Sequence, residues 1–313
     1  MGARPGGPLL VIAGPTATGK TAVAIELALE LDGELVGADS VQVYRGFDIG
    51  SAKPTREELR GVAHHLIDVA DPDETLDAMR YAELADGAIA AVRARGRVPI
   101  VVGGTGLWLR ALLRGLVDVP LPDAQIRAAL ELEADRGGPS SLHARLAEVD
   151  PRAAAAIHPN DRLRVVRALE VFAQTGRPMG ELRAEHALGE PRYDAMVVSL
   201  DLPREEHTER VVARAAAMVT AGLADEVRGL VARWGANARA LGAVGYREML
   251  AHVSSGEPIA ETTRKIVRST RIYARRQRTW LKNEPGTSVR TTASALLGDP
   301  ELRARIRRHL RPP

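Results

Sequence analysis

Short apolar runs alternate with amphipathic stretches along much of the chain. Short runs rich in apolar residues predict strands, and five of them occur. They lie at residues 9–13, 34–38, 64–69, 98–102 and 195–200. Helix-spaced apolar positions predict helices at 22–31, 78–95, 107–113, 204–221 and 224–234. Strands alternating with helices indicate an α/β fold built on a parallel sheet.

A different pattern occupies residues 119–194. Apolar residues recur there at helical spacing, as at Leu142, Leu146 and Val149, and Pro and Gly residues separate the segments. We therefore predict an all-helical domain at 119–194, inserted into an α/β core formed by 1–118 and 195–313. The insertion includes the run His-Pro-Asn-Asp at 158–161, followed by an arginine-rich helix.

The last long predicted helix, at Ile259–Asn283, carries a row of cations. The row consists of Arg264, Arg268, Arg271, Arg275, Arg278 and Lys282. At the angular step of an α-helix these six fall within roughly 80°, and the main apolar positions lie roughly 120° away. No acidic residue lies between Arg264 and Lys282. Because like charges on one face repel each other, the row favours a nucleic-acid backbone as its partner, with a solvated basic helix as the alternative.

The distribution of charge supports a polyanionic partner. The chain has a net charge of +3, but residues 246–313 hold 15 Lys/Arg against 6 Asp/Glu, which leaves −6 on the first 245 residues. Such asymmetry is typical of proteins that dock a polyanion on one part of their surface.

Composition excludes several other classes of protein. Cysteine is absent, so there are no disulfides or thiolate metal sites. No stretch approaches the length of a membrane span, and the apolar run at 9–13 is too short for a secretory signal. We expect a cytoplasmic protein without membrane contact and, by default, a monomer.

The first strand leads directly into a Gly-x-x-x-x-Gly-Lys-Thr motif at 14–21. A strand, a glycine-rich turn and a helix form a phosphate-binding loop, in which backbone N–H groups and the helix N-terminus surround one anion. Lys20 adds a full positive charge, and the Thr21 hydroxyl is placed to bind Mg²⁺. A nucleotide such as ATP is the default ligand, and any other diphosphate would satisfy the same contacts.

Two further strands end in polar residues. Asp39 follows the second predicted strand, and the fourth ends in Gly-Gly-Thr-Gly at 103–106. Ligands of α/β sheets bind beyond the carboxyl ends of the strands, so we expect Asp39 and Thr105 to face the same crevice as Lys20. A helix N-cap is the alternative role for Asp39.

Several motifs in the same order resemble the tRNA dimethylallyltransferases, also called tRNA isopentenyltransferases. The blocks are Gly-Pro-Thr-Ala-Thr-Gly-Lys-Thr at 14–21, Asp-Ser-Val-Gln-Val-Tyr-Arg-Gly-Phe-Asp-Ile-Gly-Ser-Ala-Lys-Pro at 39–54, Gly-Gly-Thr-Gly-Leu-Trp at 103–108, His-Pro-Asn-Asp at 158–161, Gly-Tyr-Arg-Glu at 245–248 and Arg-Arg-Gln-Arg-Thr-Trp-Leu at 275–281. The resemblance extends to about residue 283, and the second block is its most specific part. The predicted basic helix at 299–311 lies outside it.

The resemblance implies a P-loop NTPase-like fold and transfer of a dimethylallyl group. Dimethylallyl diphosphate would be the donor, N6 of adenosine 37 in the tRNA anticodon loop the acceptor, and Mg²⁺ the cofactor. The target base would have to flip out of its stack to reach the crevice. Three departures from the usual family pattern, Trp108, Leu76 and Asp77, affect the expected prenyl pocket and leave the polar residues intact.

Site residues follow from the same resemblance. Asp39 would accept the N6 proton, while Lys20, Thr105 and Arg214 would stabilise the leaving diphosphate. The diphosphate contacts would be Gly14, Pro15, Thr16, Ala17, Thr18, Gly19, Lys20 and Thr21, with Thr21 also binding the metal. The tRNA contacts would be Asp39, Ser40, Val41, Gln42, Thr105, Arg127, Leu163, Arg164, Val165, Val166, Arg167, Gly242, Ala243, Val244, Gly245, Tyr246, Arg247, Arg275, Arg276, Gln277, Arg278, Thr279, Trp280, Leu281 and Lys282.

Three other functions are compatible with parts of the sequence. A small-molecule kinase would explain the phosphate loop, but not the cation row or the helical insertion. A prenyltransferase acting on free adenine nucleotides would need no long basic face. An RNA-binding protein without enzymatic activity would leave the phosphate loop without a role.

Overall fold

The computed structural model describes residues 6–187, 191–284 and 286–310. The chain separates into two compact units. The first consists of the segment that ends at Gly115 together with the segment that begins at Arg192, and the second is Leu116–Pro191.

The first unit is built on a single parallel sheet. Its strands are β1 (Pro8–Ala13), β2 (Gly33–Ala38), β3 (His64–His65), β4 (Val98–Gly103), β5 (Asp194–Leu200) and β6 (Thr287–Thr291). They are arranged in the order β3-β2-β4-β1-β5-β6, and each pair of neighbours is parallel. The prediction of a parallel α/β sheet is therefore confirmed.

Helices cover the sheet, and the second unit contains only helices and connecting segments over its described residues. In chain order they are α1 (Lys20–Leu31), α2 (Arg56–Leu59), α3 (Ala78–Ala94), α4 (Gly106–Arg114), α5 (Ala124–Gly137), α6 (Pro139–Val149), α7 (Pro151–Ala156), α8 (Arg162–Thr175), α9 (Met179–Ala187), α10 (Arg204–Thr220), α11 (Leu223–Trp234), α12 (Tyr246–Ser255), α13 (Ile259–Asn283), α14 (Ala293–Gly298) and α15 (Pro300–Leu310). A 3₁₀-helix at Arg239–Gly242 precedes α12. Residue 311, the predicted end of the last basic helix, lies outside the described residues.

Two strand assignments differ from the sequence prediction. The third strand is only His64–His65, because Leu66 and Asp68 adopt positive φ angles of 63° and 54° that extended backbone does not allow. β6 was not predicted, since Thr287–Thr291 is an edge strand with a single apolar residue, Val289. The short helix α2 was also missed; Thr55 caps it through a capping box with Glu58.

The segment after α13 completes the core on one side of the sheet. Leu296 of α14 and Ile306 of α15 are fully buried in the cluster that contains α1 and the inner strands. Arg303 and Arg307 of α15 both pair with Glu30 of α1. The helix that follows the phosphate loop is therefore packed and paired with the last described helix of the chain.

The second unit has an apolar core and one buried carboxylate. Leu142, Leu146 and Leu169 lie in that core, and Glu170 is fully buried beside it. Glu170 accepts hydrogen bonds from Arg127 and Arg167 and from the Asp123 backbone N–H. Burial alone would raise the pKa of Glu170, but the bonds from the two arginines lower it. These two arginines are therefore held in place by a common anion.

Candidate active site and nucleic-acid interface

Three strand ends converge at the carboxyl edge of the sheet. Ala13 at the end of β1 and Ala38 at the end of β2 both pair with Gly103 at the end of β4. The phosphate loop, Asp39 and the 103–106 turn begin directly after these residues. Because parallel strands all end at the same edge, these three segments surround one site.

The phosphate loop adopts a compact, internally bonded conformation. Ala17 and Gly19 have positive φ angles of 64° and 84°, so successive N–H groups turn toward the inside of the loop. The Thr18 hydroxyl and the Lys20 ammonium both donate to the Pro15 carbonyl, at 2.9 Å and 2.7 Å. Lys20 is the first residue of α1, where the partial positive charge of a helix lies.

The charge of Lys20 is finely balanced. Burial lowers the pKa of Lys20 to about 8, the carboxylate of Asp39 acts to raise it, and the nearby Arg214 lowers it further. An anion bound in the loop would favour the charged form and raise this pKa again. The ammonium group therefore changes its charge within a pH range that is accessible to experiment.

Thr16 in the phosphate loop is held from two helices. Its N–H donates to Gln277 Oε1 of α13 at 2.9 Å, and its carbonyl contacts His207 Nε2 of α10 at 2.8 Å. Arg214 Nη1 of α10 donates to the Thr16 hydroxyl at 3.3 Å. Arg214 therefore lies at the loop, and its contact with a diphosphate stays a prediction.

Asp39 and Thr105 are linked through Ser40. Asp39 Oδ1 accepts from the N–H groups of Val41 and Gln42 at 2.9 Å and 3.3 Å, which orders the turn after β2. The Ser40 N–H donates to Thr105 Oγ1 at 3.0 Å. Asp39 thus caps a turn and not an α-helix. It also lines a large cavity at the carboxyl edge of the sheet.

The cavity at the carboxyl edge of the sheet has a volume of about 1120 Å³. Residues of the phosphate loop and Asp39 both line it. Its lining includes Lys20, Asp39, Trp108, Arg214 and Tyr273. Polar residues therefore share this space with large apolar surfaces, as a substrate with an ionic and an apolar part would require.

Aromatic and apolar residues form part of the cavity wall. Trp108 stacks on the buried Tyr81 with ring centroids 4.4 Å apart, and both Trp108 and Leu76 line the cavity. Asp77 has a local role, because its carboxylate caps α3 by accepting from the N–H groups of Met79 and Arg80. Of the three departures from the family pattern, two therefore lie at the wall and one stabilises a helix start.

The two adjacent histidines face different surroundings. His65 Nε2 lies 2.6 Å from Glu34 Oε2, away from the site. His64 lines the cavity, and neither of its ring nitrogens has a hydrogen-bond partner within the described part of the chain. Burial lowers the pKa of His64 to about 4, and the neighbouring His65 contributes to this shift.

A carboxylate of α11 organises the loop that follows Asp39. Glu226 accepts from the backbone N–H groups of Asp48, Ile49 and Gly50 at 3.1, 2.7 and 3.1 Å. The Tyr246 hydroxyl donates to the same carboxylate at 2.7 Å. The 39–54 block is thereby fixed to the Gly-Tyr-Arg-Glu block at 245–248.

Most of the cation row on α13 faces outward. Arg264, Arg268, Arg271, Arg275 and Lys282 are exposed. Arg264 Nε donates to Glu261, one turn earlier, at 3.0 Å, and Arg278 Nε donates to Asp201 at 2.8 Å. Two acids therefore partly neutralise the row: Glu261 lies just before it, and Asp201 is distant in sequence.

The predicted tRNA contacts divide into outward and buried side chains. In the first unit Gln277, Leu281 and Tyr246 are buried, and the Trp280 ring packs closely against Gly106. In the second unit Val165 and Val166 belong to the apolar core, whereas Leu163 is 70% exposed. Arg164 is exposed and pairs with Asp161, while Arg127 and Arg167 pair with Glu170. The outward side chains are the ones available to RNA, and the contact set as a whole stays a prediction.

Two features are absent from the described residues. No group of three or more His, Asp or Glu residues there is arranged to bind a metal. No described helix is long and apolar enough to cross a membrane. Thr21, whose hydroxyl is the predicted metal ligand, lines the cavity.

Sequence reasoning missed the residues that hold the loops in place. Gln277 falls on the buried face of α13 with Ile266 and Leu281, a position that its helical spacing already indicated. Glu226 and His207 lie on helices with no motif, and their partners are distant in sequence. A local pattern therefore contained no signal for these two residues.

Comparison with known proteins places this site in a family context. A family model described as IPP transferase matches residues 42–284. A protein of Anaeromyxobacter dehalogenans named tRNA dimethylallyltransferase is 54% identical over 278 residues, covering 89% of this chain and 93% of its own.

Solved structures agree with this match. A tRNA isopentenylpyrophosphate transferase from Bacillus halodurans superposes with a TM-score of 0.70 at 36% identity, covering 97% of this chain and 96% of its own. A eukaryotic dimethylallyltransferase acting on tRNA gives a TM-score of 0.79 at 27% identity, covering 95% of this chain and 77% of its own.

Proposed function

This chain belongs to the IPP transferase family, and we propose from this that it is a tRNA dimethylallyltransferase. The reaction moves a dimethylallyl group from dimethylallyl diphosphate to N6 of adenosine 37 in the anticodon loop of tRNA. The products are N6-dimethylallyladenosine and diphosphate. The observation that carries the proposal is one cavity that joins a phosphate loop to a carboxylate and an apolar wall.

The phosphate loop stabilises the leaving group. As the carbon–oxygen bond to the diphosphate breaks, negative charge builds on the departing oxygen. The inward N–H groups of the loop, Lys20 and Arg214 share that charge in a partly desolvated space. The Thr105 hydroxyl supports the site through Ser40, beside Asp39.

Asp39 acts on the nucleophile. The N6 nitrogen of adenine is a poor nucleophile because its lone pair is delocalised into the ring. As the N6–carbon bond forms, one N6 proton passes to the Asp39 carboxylate, whose other hydrogen bonds keep it oriented. The base reaches this position by flipping out of its stack, which an anticodon loop permits more readily than a duplex.

Magnesium fits the donor set at the loop. Mg²⁺ keeps several waters and binds through substrate phosphates with one or two protein ligands, so the Thr21 hydroxyl at the cavity wall is a sufficient protein contribution. The bound ion would supply further neutralisation of the diphosphate charge.

The cation row on α13 and the arginines of the second unit bind the tRNA backbone. Exposed arginines contact phosphates without reading sequence, so they supply affinity and orientation. We expect the enzyme to act in the cytoplasm on its tRNA substrate, as a monomer.

A transfer assay tests the proposal directly. The protein is incubated with Mg²⁺, tRNA and labelled dimethylallyl diphosphate, and the digested nucleosides are analysed by mass spectrometry. Prenylated adenosine is the expected product, with ATP neither required nor consumed. Consumption of ATP without prenyl transfer would instead identify a kinase, the rival that shares the phosphate loop.

A further inference from the structure

We propose that Gln277 is a positioning residue for the diphosphate loop, although it lies among the predicted RNA contacts. The inference rests on the proposed function and deepens it. Gln277 is on α13, the helix that carries the cation row, but its side chain is only 7% exposed. It therefore faces the interior of the first unit and lines the cavity there, and it is not part of the outward row of cations.

The Gln277 carboxamide joins two loops through complementary hydrogen bonds. Its oxygen accepts from the Thr16 N–H at 2.9 Å, and its nitrogen donates to the Gly104 carbonyl at 2.9 Å. The amide supplies one donor and one acceptor for these two bonds, whereas an ionised carboxylate of the same length offers only acceptors. One residue thereby connects the diphosphate side of the cavity to the turn that bears Thr105.

Close packing makes this link specific. A Cβ atom on Gly104 would lie 2.4 Å from Gln277 Nε2 and 2.8 Å from the Gly14 carbonyl oxygen, so a glycine is needed for the two loops to approach. A Cβ on Gly106 would lie 2.2 Å from the Trp280 ring, one turn further along α13. The Gly-Gly-Thr-Gly sequence is therefore shaped to receive the buried face of this helix.

The link determines where the loop N–H groups point. Thr16 precedes Ala17, whose φ of 64° starts the inward turn of the loop. With its N–H held by Gln277 and its carbonyl by His207, the Thr16 backbone is fixed from two helices. Loss of the amide leaves a buried N–H and a buried carbonyl without partners, so the loop shifts to regain them and its affinity for diphosphate falls.

Two substitutions separate positioning from RNA contact. Gln277→Leu removes both hydrogen bonds, and Gln277→Glu keeps the size and the acceptor but loses the donor. We expect the KM for dimethylallyl diphosphate to rise about tenfold in Q277L, with the Kd for tRNA unchanged. Thr263→Ala on the same helix, whose hydroxyl donates to the Ile259 carbonyl one turn earlier, is the matched control.

The pH dependence of the donor KM in Q277E distinguishes a hydrogen-bonding role from a packing role, because packing does not depend on protonation of the new carboxyl group. A protonated carboxyl can again donate to the Gly104 carbonyl and accept from the Thr16 N–H. The ratio of the Q277E and wild-type KM values for the donor should therefore fall toward one as the pH is lowered. Arg275→Glu gives the opposite pattern, with weaker tRNA binding and an unchanged donor KM.

Binding of inorganic diphosphate with Mg²⁺, measured by calorimetry without tRNA, keeps this test independent of the transfer reaction. If the wild type transfers no prenyl group, the proposed function fails, while the diphosphate affinities still test Gln277. Weaker diphosphate binding in Q277L supports the proposal. Unchanged diphosphate binding, loss of tRNA affinity in its place, or a pH-independent Q277E ratio would overturn it.

Discussion

The pH dependence of diphosphate binding should report the charge on Lys20. Its pKa of about 8 belongs to the free enzyme, where burial opposes the positive charge. In the complex the ammonium lies beside an anion, which favours the charged form. Binding above pH 8 must therefore include uptake of a proton, and the affinity for diphosphate should fall as the pH rises.

The size of the effect follows from this pKa. About 90% of Lys20 is charged at pH 7 and about 9% at pH 9, so the Kd should rise about tenfold between these values. That factor corresponds to about 1.4 kcal/mol of binding free energy. Near pH 9, binding should take up about 0.9 proton per site.

Calorimetry of inorganic diphosphate with Mg²⁺ measures both quantities. Titrations in two buffers of different ionisation enthalpy give the number of protons taken up at each pH. Lys20→Arg is the matched control, because an arginine stays charged throughout this range and its profile reports only the ionisation of the ligand. Parallel profiles for the wild type and K20R would refute the assignment of a depressed pKa to Lys20.

Three further predictions concern the base, the RNA surface and a buried histidine. Asp39→Asn should lower single-turnover transfer about 10²- to 10⁴-fold at saturating substrates, with diphosphate affinity nearly unchanged, because an amide cannot take the N6 proton; a wild-type rate would mean that Asp39 only orders its turn. The double variant Arg271→Glu with Arg275→Glu should weaken tRNA binding and reduce the slope of the log binding constant against log salt concentration by at least about 1.5. The double variant Arg305→Glu with Arg308→Glu on α15 makes the same charge change away from the row and should have little effect on tRNA binding. Folding lowers the pKa of His64 to about 4, so the native chain binds fewer protons than the unfolded chain between pH 6.5 and 4. The free energy of unfolding should therefore fall by about 3 kcal/mol as the pH is lowered through that range. His64→Leu should remove this part of the pH dependence in urea titrations, and an equally steep loss in the variant would assign it to other groups.

The inner strands of the sheet could be predicted because their burial is visible in the sequence. β1, β4 and β5 are buried on both faces and therefore appear as uninterrupted apolar runs. β6 lies at the edge of the sheet and needs no such run, so only its partner β5 identifies it. The end of β3 depends on the positive φ of Leu66, a conformation that leucine does not signal.

In the site, too, local motifs predict some features, whereas others depend on residues that are distant in sequence. Convergence of the phosphate loop, Asp39 and Thr105 was predictable, because each directly follows a parallel strand and those strands end at one edge. The pairing of Arg278 with Asp201 was not, since the two residues are 77 positions apart and neither belongs to a shared pattern. The resemblance named Gln277 as an RNA contact; its helical spacing indicated a buried position, but only the fold identifies Thr16 and Gly104 as its partners.

The packing of α15 on α1 has a consequence for the order in which the molecule can form during synthesis. β1 leaves the ribosome early, yet its neighbours β4 and β5 are made much later, and Ile306 is translated more than 270 residues after Leu27 of the same cluster. Until then α1 presents an apolar face and an unpaired Glu30 to solvent. The phosphate loop therefore lacks part of its support through most of translation, and chains interrupted before α15 should be substrates for chaperones and proteases, not weakly active enzymes.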